Sequence, residues 1–77
     1  MQTEICHIAN VKSFEDWNTN QESTVGRIWK HRVKIYNQKR NYYLIEMIDG
    51  RLRLCADELE AFAVARNFDI NYFIEPV

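Results

Sequence analysis

From Arg27 to Tyr36 the chain runs RIWKHRVKIY, alternating with a period of two, and no other stretch restricts the fold as strongly. Trp29, His31, Val33 and Ile35 fall on one side, and Ile28, Lys30, Arg32, Lys34 and Tyr36 on the other. A helix would scatter both sets around its axis, whereas a strand keeps them apart. The segment therefore reads as a long strand, with the Trp29 side expected against a core and the lysine side expected in water.

The segments that follow read as a meander. The polar NQKRN, residues 37–41, makes a turn, and YYLIEMI, residues 42–48, is apolar on both faces, as in the middle of a sheet. Asp49-Gly50 is a hairpin signal leading into residues 51–55, where Leu52 and Leu54 alternate with arginines. Asp57 then caps a helix over 57–68, with Glu60 three residues on completing a capping box and apolar residues at helical spacing. Residues 70–75 give a last strand before Pro76.

Upstream, EICHIA, residues 4–9, reads as a first strand. Ser13 and Asp16 form a weak capping box, which predicts a short helix bearing Phe14 and Trp17 and then a polar loop to Gly26. The expected class is α+β: a single domain, residues 1–77, with a small antiparallel sheet packed against one main helix. The sheet comprises the meander of residues 27–55 plus terminal strands, and the helix spans 57–68. A ferredoxin-like βαββαβ arrangement is the alternative, requiring the first helix to be full length.

At 77 residues and 47% apolar content the chain suits one folded domain, but one with a thin margin of buried surface, which makes a homodimer a natural expectation. Cys6 and Cys55 match no disulfide framework and read as reduced, mostly buried thiols of a cytoplasmic protein. The first ten residues lack the basic and apolar regions of a signal peptide, and no run approaches a membrane span.

Charge is the functional clue. Residues 27–40 hold six of the ten Lys and Arg residues and no acid, so the rest of the chain, with four bases and eleven acids, carries −7. On a strand, Lys30, Arg32 and Lys34 make a row about 13 Å long, suited to phosphates, each of which releases a counterion when neutralised. The expected site for nucleic acid or another polyanion comprises Arg27, Lys30, Arg32, Lys34, Tyr36, Lys39 and Arg40. A solvated face that serves only solubility is the plainer reading, and the pI near 6.1 is low for a nucleic-acid domain.

A different class of function is a protein-protein adaptor or inhibitor meeting an acidic partner surface. Trp17, Trp29, Tyr43, Tyr72 and Phe73 are the candidates for its contact aromatics. Such a domain suits an accessory or regulatory protein of a bacterium, phage or mobile element. No spacing of His and Cys matches a zinc module, so no metal or cofactor is expected. Glu46 interrupts an apolar strand, but pairing with Arg51 or Arg53 would account for it, and with two glycines there is no phosphate-cradling loop. No catalytic constellation is found, and a binding role rather than an enzyme is expected.

Overall fold

Two fifteen-residue strands dominate the molecule. A computed structural model describes residues 2–16 and 21–77, with β1 at Gln2–Asp16, β2 at Gln21–Ile35, β3 at Gln38–Met47 and β4 at Leu52–Cys55. Helix α1 follows at Glu58–Arg66 and β5 at Tyr72–Pro76. All pairings are antiparallel, in the order β4-β3-β2-β1-β5, so a four-strand meander is closed on its far side by β5 after the chain crosses as a helix.

This is the expected α+β class with one helix, but the N-terminal third differs from expectation. Residues 10–16 continue β1 instead of starting a helix, which removes the ferredoxin-like alternative. The reason lies in the pairing: residues 9–13 bond to β2 on one side and to β5 on the other, so their backbone groups gain two ladders. A one-turn helix nucleated by Ser13 would satisfy far fewer groups. Trp17 and Asn18 to Asn20 lie outside the described residues. An irregularity between His7 and Ala9 sets Ile8 out of register, and Ile8 accepts a hydrogen bond from the Val77 amide.

The helix forms where expected, somewhat shorter. The Glu60 amide donates to Asp57 Oδ1 at 2.8 Å, and Glu60 Oε2 accepts from the Ala56 amide at 3.3 Å, so the capping box closes one residue further back than the usual form. Ala61 and Ala65 point at the sheet and are fully buried, which lets the helix approach closely. They meet Ala9, Val11, Ile28, Ile45, Met47 and Cys55. Gly26 lies in this layer as well: a Cβ there would stand 2.5 Å from Met47 Sδ, so only glycine admits the methionine. At the β3–β4 turn Gly50 has φ +95, the Arg51 amide donates to Asp49 Oδ1, and the Arg51 side chain pairs with the Asp49 carboxylate at 2.7 Å.

Ile28 fixes which face is covered, and the answer reverses the expectation. Ile28 is a fully buried core residue, so the side it shares with Lys30, Arg32 and Lys34 is the helix side of the sheet. Trp29, His31, Val33 and Ile35 stand on the opposite, open face. Lengths explain how lysines share a face with the core: β1 and β2, at about 3.3 Å per residue, run about 50 Å, while nine helical residues cover about 14 Å. The molecule measures 53 × 20 × 18 Å, and the ends of its long strands extend past the helix as an arm with both faces bare.

Candidate polyanion-binding face

Register assembles the basic row. On the helix side of the arm, β2 places Lys30, Arg32 and Lys34 opposite Tyr43, Asn41 and Lys39 of β3 and opposite Cys6, Glu4 and Gln2 of β1. Lys39 therefore joins the row as a strand residue. The turn is Tyr36-Asn37, not residues 37–41, and Tyr36 occupies it with φ 56 and its side chain almost wholly exposed. A bulky residue with positive φ is strained, and here it sets an aromatic residue at the tip of the arm, where it lines a pocket with Val33, Ile35, Arg40 and Tyr42 of the open face rather than the lysine groove.

The four cations are poorly neutralised from within. Arg32 reaches Glu4 at 3.8 Å, a long pair between two exposed side chains. Lys30 sits over the Tyr43 ring at 6.0 Å. Lys34 and Lys39 face each other directly and form no ion pair among the described residues. Directly opposed like charges destabilise a sheet, by some tenths of a kcal/mol. Gln2, Glu4, Arg32, Lys34 and Lys39 together line a shallow groove across the row.

The other candidates separate from this row. Arg40 pairs with Val33 and Arg27 with Glu46, so both arginines stand on the open face. Tyr43 is buried under Lys30 and belongs to the core, not to an exposed surface. Trp29 is half-buried on the open face, its ring 5.0 Å from that of His7 and its Nε1 donating to Glu46 Oε1 at 3.4 Å. Tyr72 packs against the core, and Phe73 stacks on Phe14 at 4.8 Å between ring centres. Glu46 pairs with neither Arg51 nor Arg53; Arg51 is taken by Asp49 and lies over the Phe68 ring at 4.8 Å.

Cys55 is buried, and burial, followed by the charge of Glu60, pushes its thiol above the ordinary value. Cys6, expected in the interior, is exposed. The two lie at one level of the sheet through Cys6–Lys30–Tyr43–Cys55, three strand spacings or about 14 Å apart, too far for a bridge within one chain. Among the described residues no three His, Cys, Asp or Glu side chains gather as a metal site, and no helix is long and apolar enough to cross a membrane.

Sequence reasoning missed the flanking roles of Gln2 and Glu4 and the exposure of the open face. Neither leaves a local signal, because both follow from β1 pairing and from where the helix lands. No protein-family model, curated protein or solved structure matches the chain.

Proposed function

We propose that this chain is a non-enzymatic binding module that holds a polyanion, in the first place the phosphate backbone of nucleic acid, on the Lys30, Arg32, Lys34 and Lys39 face of its arm. The observation that carries this reading is the direct opposition of Lys34 and Lys39, extended by Arg32 and Lys30, on a surface that the helix leaves bare. A bound anion would relieve that repulsion. Row residues recur at about 6.6 Å, close to the axial rise of two nucleotides of one duplex strand at about 3.4 Å each.

An adaptor in which lysines and aromatics share one protein contact fits less well. Trp29 and Tyr42 point away from the lysine row, and Tyr43 is buried. We also propose a cytoplasmic setting, which two free thiols support.

The test is fluorescence anisotropy of labelled random-sequence single-stranded and duplex DNA and RNA at 50 and 200 mM salt. Four phosphate contacts give a logarithmic salt slope of about −3.6 on duplex, or a loss of about 10² in affinity across that range. Reversing Lys30, Arg32 and Lys34 together should abolish binding. No binding at low salt, or binding that survives the reversal, refutes the reading.

A further inference from the structure

The open face of the sheet carries a run of exposed apolar side chains between charged ends. Ile5, Leu52 and Leu54 are each more than half exposed, and Tyr42 is 36% exposed. Across the strands the pairing lays out successive rows: Leu52, Glu46 and Arg27; then Leu54, Leu44, Trp29 and His7; then Tyr42, His31 and Ile5; then Arg40, Val33 and Thr3. Apolar rows occupy the middle and charged groups the two ends. The face is four strands wide at the Glu46 and Leu44 rows, three at Tyr42 and Arg40 and two at Ile35, a projected area on the order of 500 Å² of which about half comes from apolar side chains. The largest apolar patch on a monomer is itself commonly about 300–600 Å² and is often functional.

We infer that this face docks on the same face of a second copy, the two sheets packing about a two-fold axis that crosses the strands between the levels of Tyr42 and Leu44. Charge placement selects this occupant. Arg40 and Glu46 lie on β3 at equal distances either side of that axis, so the rotation that sets Tyr42 of one copy on Leu44 of the other also sets each Arg40 on the other copy's Glu46. Both are free to pair. Glu46 holds only a long hydrogen bond from Trp29, and neither residue forms an ion pair among the described residues.

Two such faces bury about 1,000 Å², the lower bound for a specific interface, and aligned sheet packing tolerates a crossing of about 30°. Pairing at the sheet edges is a poorer route. Strand β4 has four residues with Arg53 among them, and β5 ends at Pro76. Because the lysine row is on the opposite face, this inference stands apart from the polyanion reading: the dimer carries its two basic rows outward.

Sedimentation equilibrium of the 9.3 kDa chain from 5 to 500 µM tests it. The wild type is expected to reach twice the monomer mass. Arg40→Glu and Glu46→Arg should each be shifted at least tenfold toward monomer, while the double variant Arg40→Glu/Glu46→Arg, and an equimolar mixture of the two single variants, regain the dimer. Both positions are exposed, and circular dichroism confirms that each variant is folded. Lys34→Glu/Lys39→Glu should leave the mass unchanged. A wild-type monomer at 500 µM overturns the inference, as does a dimer indifferent to both single variants or single variants that do not complement each other; capture of another macromolecule by a monomeric open face would do the same.

Discussion

Replacing Lys39 with glutamate should make the free protein more stable and the bound state weaker, an unusual pairing of effects that follows from its register. Lys39 lies directly opposite Lys34 near the end of the β2–β3 hairpin, where no acid is paired with either. A like-charged pair becomes an opposite pair, and cross-strand pairs of this kind contribute roughly 0.2–1 kcal/mol each. Both side chains are exposed, so screening and side-chain entropy pull the figure toward the low end, and a gain of about 0.5 kcal/mol is expected. For a domain of this size that raises Tm by about 2–4 °C. Thermal unfolding followed by Trp fluorescence at 20 mM salt reads it, and the gain should shrink at 500 mM salt. In the anisotropy assay the same variant should lower the salt slope by about 1 for the lost contact. A variant no more stable than wild type at low salt would refute the repulsion on which the site rests.

Gly26→Ala should cost about 1–2 kcal/mol in urea unfolding. The new methyl meets Met47 Sδ at 2.5 Å and the Glu46 carbonyl oxygen at 3.0 Å, and overpacking of about 1–3 kcal/mol outweighs a backbone-entropy gain of about 0.4–1. Combined with Met47→Val, the double variant should be more stable than the sum of the single effects by about 0.5–2 kcal/mol. A thiol reagent at pH 8 should label exposed Cys6 on the order of ten times faster than buried Cys55, with the difference vanishing in urea. Because the Cys55 thiol is raised in the folded protein, the unfolded chain releases that proton first. Stability that is full below the ordinary thiol range is therefore lost as pH climbs through it, and Cys55→Ala should flatten the pH 8 to 10 segment of the unfolding curve relative to wild type.

The α1 cap, the Asp49-Gly50 turn and the two-sided β3 were legible because each rests on neighbours within a few residues. Asp57 and Glu60 meet across one turn of helix, and Gly50 supplies a positive φ that the hairpin needs. The stretch from Asn10 to Asp16 misled for the same reason. Its local pattern held a weak cap, while the stronger preference came from β5, some sixty residues later in the chain.

The alternation of residues 27–36 by itself determined that Lys30, Arg32 and Lys34 stand in one row and that Trp29, His31 and Val33 stand in another, because successive side chains of a strand must point to opposite faces. It could not determine which row the helix would cover. That was decided by tertiary structure: a nine-residue helix, packed on β3, β4 and β5, seats its alanines in a core that includes Ile28, Ile45 and Val11. It is too short to reach the lysines further along the same face. Periodicity assigns partners to a face, and only the length and placement of the packing element decide which part of that face meets water.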